Sequence, residues 1–159
     1  MIYSFLIIFS VLFGPPTKQP VQVVTLAQLQ AKTIQPNNDS LYVVNFWATW
    51  CKPCVGELPY FEKAGQGFAD KKVRILLVSL DFLSQQEKVD QFVEKNNIQS
   101  DVYLLQAGDP NVWINKIDNS WSGEIPATVI YKNGKKLFFR EGDFSTQQEL
   151  DSVIQTNLK

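Results

Sequence analysis

The feature that most constrains the fold is a buried strand that leads directly into a pair of cysteines. Residues 41–47 form a short run of β-branched and aromatic side chains, which is typical of a strand covered on both faces. The segment Cys51-Lys52-Pro53-Cys54 follows and begins a predicted helix that extends to about Phe68. A buried strand followed at once by a helix indicates an α/β fold with the cysteines at the strand–helix junction.

The rest of the chain alternates between strand and helix patterns. Asn133-Gly134 joins the last two predicted strands and is a strong hairpin signal. The predicted strands are 21–24, 41–47, 73–80, 102–105, 127–132 and 136–141, and the predicted helices are 25–32, 51–68, 84–96, 111–117 and 146–156. This order predicts a mainly parallel sheet that is covered on both faces and ends in an antiparallel hairpin.

Length and composition exclude several classes of protein. The 159 residues suit one domain, and 15 basic against 16 acidic residues leave no basic surface for nucleic acid. There is no histidine, so a Ser-His or Cys-His nucleophile is impossible. Two cysteines without histidine cannot complete an ordinary zinc site. Redox chemistry, a soft-metal dithiolate and a structural bridge remain open for the cysteine pair.

The first residues predict export. The run from Ile2 to Phe13 is nearly all apolar and is followed by Gly14-Pro15-Pro16 and a polar stretch. About twelve apolar residues match the core of a secretory signal and fall short of the ~20 that a membrane-spanning helix needs. We therefore expect 1–14 to be an export signal or short anchor, 15–20 a linker and 21–159 the folded domain. A buried strand or helix at the start of the domain is the alternative.

The position of the cysteines predicts their reactivity. Cys51 lies at the start of a helix, where free backbone N–H groups and the helix dipole stabilise a thiolate. Lys52 adds a positive charge, and Pro53 fits the first turn of a helix without loss of a hydrogen bond. We expect Cys51 to attack a disulfide and Cys54, one turn further along, to resolve the mixed disulfide. A structural disulfide or two inert thiols are the alternative.

Two segments carry a family resemblance. Val43-Val44-Asn45-Phe46-Trp47-Ala48-Thr49-Trp50-Cys51-Lys52-Pro53-Cys54, with Glu57-Leu58-Pro59, resembles the active-site segment of TlpA/ResA-like thiol–disulfide oxidoreductases of the thioredoxin superfamily. The segment from Gly123 to Gly134 resembles the cis-proline strand and hairpin of that superfamily. The resemblance covers about 21–157 and implies a thioredoxin-like three-layer sandwich with a mixed central sheet. It also implies that 84–105 is the helix–strand insertion of the TlpA-like branch.

The resemblance assigns roles near the substrate. Pro126 is implied to be the cis-proline that faces the disulfide, and the backbone of Ile125 is implied to pair with the main chain of a substrate. A trans proline at a strand start is the alternative. Trp50 is expected to shape the docking surface together with Pro53. Trp47 either shields the site or packs in the core.

Glu57 is the proton-handling residue that the resemblance implies. A carboxylate partly buried near two sulfurs has a raised pKa and can exchange protons with Cys54. Thioredoxin itself has a buried aspartate at the strand position that Asn45 occupies here, and asparagine cannot titrate. A solvent-exposed glutamate on the outer face of the helix is the alternative for Glu57.

The resemblance implies a reductase that keeps exported thiols reduced at the periplasmic side or outer face of the cytoplasmic membrane. It implies protein disulfides as substrates, apocytochromes among them, a thiol electron donor in the membrane, and no cofactor. A disulfide-donating oxidase is the alternative direction. A peroxidase of the peroxiredoxin type is disfavoured because Ala48 stands where that family has threonine. A Cu(I) chaperone is disfavoured, because thioredoxin-like copper carriers add a distant histidine and this chain has none. A non-catalytic binding module is the last alternative.

Overall fold

The central sheet has six strands in the order β1-β4-β3-β2-β5-β6. The computed structural model describes residues 20–159, so the expected export segment, 1–14, and 15–19 of the expected linker lie outside the described residues. The strands are β1 (Gln22–Thr25), β2 (Leu41–Trp47), β3 (Val73–Ser79), β4 (Asp101–Gln106), β5 (Ala127–Lys132) and β6 (Lys135–Glu141). The first four strands are parallel, and β5 and β6 add an antiparallel edge beside β2.

In the described part of the chain, four α-helices connect these strands and a fifth follows β6, in the predicted order. They are α1 (Leu26–Thr33), α2 (Lys52–Gly67), α3 (Gln86–Lys95), α4 (Pro110–Ile117) and α5 (Gln147–Leu158). Every predicted strand and helix is present, and no end differs by more than two residues from its prediction. Within residues 20–159, no helix is both long enough and apolar enough to cross a membrane.

The helices cover the two faces of the sheet and complete three layers. On one face, α2, α3 and α5 bury an apolar cluster that includes Phe61, Val89 and Leu150. On the other face, α1 and α4 bury a second cluster that includes Leu29 and Trp113. Strand β2 contributes side chains to both clusters, because successive side chains of a strand point to opposite faces of the sheet.

The expected helix–strand insertion is present and changes the sheet. It consists of α3 and β4, and β4 lies between β1 and β3. Val89 and Val93 bury the apolar side of α3 as the sequence pattern predicts. The insertion widens the parallel part of the sheet without interrupting the neighbouring strands β3 and β2.

The hairpin between β5 and β6 turns at Asn133-Gly134. Both residues have positive φ, 51° and 74°, which is the conformation that a two-residue type I′ turn requires. Asparagine and glycine adopt this conformation at the lowest cost, so the local sequence explains the turn. The hairpin brings the segment before β5 next to the cysteines, since β5 pairs antiparallel with β2.

Candidate active site

Cys51 and Cys54 form a disulfide at the amino end of α2. The S–S distance is 1.99 Å, and the Cα atoms are 5.3 Å apart. Cys51 is the N-cap of the helix, and the N–H of Cys54 donates to the Sγ of Cys51 at 3.3 Å. Cys51 is 5% exposed and Cys54 is fully buried. A reduced Cys51 would therefore be the accessible sulfur, at a position where backbone N–H groups stabilise a thiolate.

The loop before Cys51 is held by a buried carboxylate. Asp81 is 2% exposed and lies two residues after the end of β3. Its carboxylate accepts from the N–H of Thr49 at 2.9 Å, from the hydroxyl of Thr49 at 2.6 Å and from the hydroxyl of Ser79 at 2.8 Å. These bonds connect the end of β3 to the residue two positions before Cys51.

Sequence reasoning missed this contact. A signal for it was present, because Ser79 and Asp81 lie at the carboxyl end of the predicted strand 73–80, and the carboxyl ends of neighbouring parallel strands meet at one edge of a sheet. Two polar residues there, beside the strand that leads to the cysteines, could have marked Asp81 as part of the site.

Glu57 lies inside the protein and not on the outer face of its helix. It is 2% exposed, its Oε1 accepts from the Nδ2 of Asn45 at 2.8 Å, and its Oε2 accepts from the N–H of Phe144 at 2.8 Å. Burial raises the pKa of Glu57 from 4.5 to about 7, although the two donors oppose this rise. The nearby charge of Asp143 raises the pKa and that of Arg140 lowers it. Near neutral pH, Glu57 can therefore accept and release a proton.

Asn45 contributes a neutral partner for both protonation states of Glu57. Its Nδ2 also contacts the hydroxyl of Thr128 at 3.1 Å, while its buried Oδ1 has no hydrogen-bond partner among residues 20–159. A carboxylate at Glu57 needs the donor that Nδ2 supplies. A protonated Glu57 needs an acceptor, which Oδ1 can supply after the amide turns over.

The segment before β5 faces the disulfide. The Ile125–Pro126 peptide bond is cis. The carbonyl oxygen of Ile125 lies 3.6 Å from the Sγ of Cys51, and the carbonyl oxygen of Pro126 accepts from the N–H of Gly142 at 2.9 Å. The indole N–H of Trp121 donates to the carbonyl of Glu124 at 2.7 Å and fixes the loop before these residues. The backbone of Ile125 thus lies directly beside the sulfur of Cys51.

The tryptophans divide between the surface and the core. Trp50 is 61% exposed beside Cys51, and Phe82, next to Asp81, is 75% exposed. Trp47 is fully buried, and its ring lies 5.2 Å from that of Phe92, so it packs in the core. Trp113 and Trp121 pack with Phe46 on the opposite face of the sheet. Of these four tryptophans, Trp50 is therefore the one at the surface.

No group of three or more potential metal-ligating carboxylates, thiols or imidazoles occurs within residues 20–159. The two sulfurs are the soft ligands at the site, and they can bind a metal only when the disulfide is reduced. In the oxidised form, the arrangement can accept a thiolate at Cys51 and exchange one disulfide for another.

Comparisons with known proteins agree with this geometry. The model of a family described as the AhpC/TSA family matches residues 17–137. A thiol–disulfide oxidoreductase ResA of Oceanobacillus iheyensis is 41% identical over 56 residues, which are 35% of this chain and 28% of that protein. A protein of the same name from Bacillus cereus is 30% identical over 114 residues, which are 70% of this chain and 60% of that protein.

The chain therefore spans less than two thirds of the length of these relatives. Among solved structures, a thiol:disulfide interchange protein of the thioredoxin family from Chlorobium tepidum has a TM-score of 0.63 at 21% identity. The likeness covers 77% of this chain and 82% of that one. It confirms the expected thioredoxin-like fold.

Proposed function

The chain belongs to the AhpC/TSA family, and from that premise we propose that it is a thiol–disulfide oxidoreductase acting on protein disulfides. The observation that carries this proposal is the Cys51–Cys54 disulfide at the start of α2, with Ile125 and Pro126 beside it. The names of the relatives agree with the same chemistry. Exposed Trp50 precedes Cys51 in the chain, and exposed Phe82 follows the Asp81 that binds Thr49; both supply apolar contact area for a polypeptide.

In the proposed reduction, the thiolate of Cys51 attacks one sulfur of a substrate disulfide. A bond forms between Cys51 and that sulfur, and the other substrate sulfur leaves as a thiolate. Cys54 then loses its proton to Glu57 and attacks the Sγ of Cys51. The Cys51–Cys54 disulfide forms, and the second substrate thiolate leaves. Two electrons pass from the protein dithiol to the substrate, which takes up two protons.

The surroundings of the sulfurs support each of these roles. The N-cap position stabilises the thiolate of Cys51, and full burial keeps Cys54 from external disulfides. Glu57 has its pKa raised to about 7 by burial, so its carboxylate is basic enough to accept the proton of Cys54. The backbone of Ile125 is the proposed partner for the main chain of the substrate, and Pro53 and Trp50 border the same surface.

We further propose reduction of exported proteins as the cellular direction. In this proposal, 1–14 directs or anchors the chain at the periplasmic side or outer face of the cytoplasmic membrane, and a membrane thiol donor restores the dithiol. Cytochrome c maturation is the proposed context, with apocytochromes among the substrates. The reduction potential decides the direction: a value near or below that of thioredoxin, about −270 mV, supports a reductase. A value near that of DsbA, about −120 mV, would make the protein a disulfide donor.

The test of the exchange chemistry uses the two cysteine variants. Cys51→Ser should reduce the rate of insulin disulfide reduction to the uncatalysed level, because no accessible nucleophile remains. Cys54→Ser should accumulate a mixed disulfide between Cys51 and the substrate, visible by mass spectrometry. If Cys51→Ser still catalyses reduction, or if Cys54→Ser traps no mixed disulfide, then the proposed function is wrong.

A further inference from the structure

One short segment contacts both the proposed substrate-binding proline and the proposed proton-exchanging carboxylate. This segment is the loop of residues 142–144 between β6 and α5. At one end, the N–H of Gly142 donates to the carbonyl oxygen of Pro126 at 2.9 Å. At the other end, the N–H of Phe144 donates to Oε2 of Glu57 at 2.8 Å. The two donors are only two residues apart in the chain.

Packing around Phe144 holds one end of this loop in place. Phe144 is 1% exposed, and its ring packs edge-on against Phe61 at 6.0 Å between centroids. The guanidinium of Arg140 lies 4.6 Å from the centre of the Phe144 ring and pairs with the carboxylate of Glu149. Gly142 has a φ of +97°, which side-chain-bearing residues rarely adopt. The ring of Phe144 therefore holds one end of the loop, and the hydrogen bond from Gly142 to Pro126 holds the other.

We propose that loop 142–144 couples substrate binding at Pro126 to the proton occupancy of Glu57. This inference rests on the proposed function, because it takes the main chain of the substrate to pair beside Pro126. A displacement of Pro126 moves Gly142 through their hydrogen bond. The bond from Phe144 to Glu57 then lengthens or shortens, and the carboxylate is stabilised less or more. Gly142 is thus a positioning residue that acts through Phe144.

The hydrogen bond from Phe144 has a large effect on the protonation of Glu57, because few charged groups lie near this carboxyl. Asp143 in the loop and Arg140 on β6 are the charged groups that act on the Glu57 carboxyl. The charge of Arg140 is partly neutralised by its ion pair with Glu149. Asn45 on β2 contacts Glu57 without charge, and the sulfurs lie on its own helix. Burial raises the pKa of Glu57, and the N–H of Phe144 is the strongest opposing influence. Linkage then requires the protonation of Glu57 to alter substrate affinity by the same factor.

The experiment measures the titration of Glu57 directly by carboxyl ¹³C NMR of the full chain with Cys54→Ser, and Glu57→Gln assigns the signal. Cys51 carries either a methylthio group or a short alanine-flanked cysteine peptide, each through a mixed disulfide. The methylthio group fills the sulfur position without a main chain, whereas the peptide can pair beside Pro126. We expect the midpoint of Glu57 to differ between the two forms by about one pH unit, an ordinary coupling of about tenfold.

Gly142→Ala tests the loop, and Gly108→Ala is the matched control. Both glycines have positive φ, +97° and +73°, and a Cβ at either one would meet no atom within 4 Å. We expect Gly142→Ala to reduce the difference between the methylthio and peptide forms by more than half and Gly108→Ala to preserve it. Gly142→Asn should restore part of the difference, because asparagine tolerates positive φ better than alanine.

Three results would overturn the coupling: no difference between the two forms in the parent, an undiminished difference in Gly142→Ala, or an equal loss in Gly108→Ala. If Gly142→Ala does not fold, the parent protein decides by itself, since equal midpoints in its methylthio and peptide forms would contradict the coupling. Failure of Cys51 to form either mixed disulfide would instead overturn the proposed function, and the coupling with it.

Discussion

Glu57 and Asp81 are two equally buried carboxylates near the same disulfide, each 2% exposed. Asp81 accepts three hydrogen bonds, two from Thr49 and one from Ser79. Glu57 accepts two, from Asn45 and Phe144. The partners also differ in kind, because Thr49 belongs to the loop that leads into Cys51, whereas Phe144 belongs to the loop that also contacts Pro126.

This difference indicates that Asp81 positions a loop, whereas Glu57 exchanges protons. Three donors converge on Asp81 and bind the loop before the nucleophile to the end of β3, which is the arrangement of a structural hydrogen-bond acceptor. Glu57 has fewer donors in an equally buried place, and burial raises its pKa to about 7. We infer that loss of Asp81 affects stability and the exchange rate at every pH, whereas loss of Glu57 changes how the rate depends on pH.

The largest effect is expected for Asp81→Ala. The substitution leaves the N–H and hydroxyl of Thr49 and the hydroxyl of Ser79 without their acceptor inside the protein. We expect a loss of about 3 kcal/mol in the free energy of unfolding, measured by urea denaturation of the oxidised protein. The rate of thiol exchange should fall by a similar factor at all pH values, because Trp50 and Cys51 follow the loosened loop.

Asp81→Asn is the matched variant, since it keeps the shape and one acceptor oxygen. The hydroxyls of Thr49 and Ser79 can rotate to accept from its amide, so we expect a loss of about half that of Asp81→Ala. If Asp81→Ala instead shifts the pH midpoint of Cys51 reactivity and leaves stability unchanged, Asp81 exchanges protons and the contrast with Glu57 fails.

Glu57→Gln should change the pH dependence of stability. The pKa of this acid rises on folding from 4.5 to about 7, so the folded protein binds the proton more tightly than the unfolded chain. Between these pH values, wild-type stability therefore falls as pH rises, by about 3 kcal/mol in total. Glutamine is neutral throughout, so Glu57→Gln should gain that amount relative to wild type between pH 4.5 and pH 8.

Glu94→Gln supplies the control, because it makes the same chemical change at an exposed position of α3. Urea denaturation of the oxidised variants at the two pH values measures the difference. In the reduced proteins, the alkylation rate of Cys51 and Cys54 should lose its inflection near pH 7 in Glu57→Gln only. Equal pH dependence of stability in Glu57→Gln and wild type would show that Glu57 keeps its ordinary acidity.

Most of the fold could be predicted because its signals are local. The apolar run of 41–47, the Asn133-Gly134 turn and the apolar stripe of α3 each reflect the period or backbone conformation of one element. The cysteines could be predicted as a pair because their position depends on one strand and the helix that follows it. The place of β4 between β1 and β3 became known only from the structure, because strand order depends on pairings that are distant in the chain.

The network around the site depends on contacts of that distant kind. Glu57 and Phe144 are 87 residues apart, and Thr49 and Asp81 are 32 apart. A helical position three residues after Cys54 allows Glu57 to face either solvent or core, and only the packing of α2 against the sheet and α5 decides. The segment 142–144 carries no motif, because it acts through backbone N–H groups that every residue except proline has.

The smallest effect is expected for Asp143→Asn, which alters the field at Glu57 without touching its hydrogen bonds. Asp143 raises the pKa of Glu57 through its charge, so removal of that charge stabilises the carboxylate. The ¹³C titration midpoint of Glu57 should fall by about 0.3 pH units. The control variant Asp70→Asn, at an exposed position, should leave this midpoint unchanged. The N–H of Phe144 still donates to Glu57 in this variant, so the response to a peptide on Cys51 should persist. A loss of that response together with the small shift would mean that the charge of Asp143, and not the backbone of the loop, connects Pro126 to Glu57. The contrast between a hydrogen-bond acceptor that positions a loop, Asp81, and an acid that responds through the backbone, Glu57, would then be wrong.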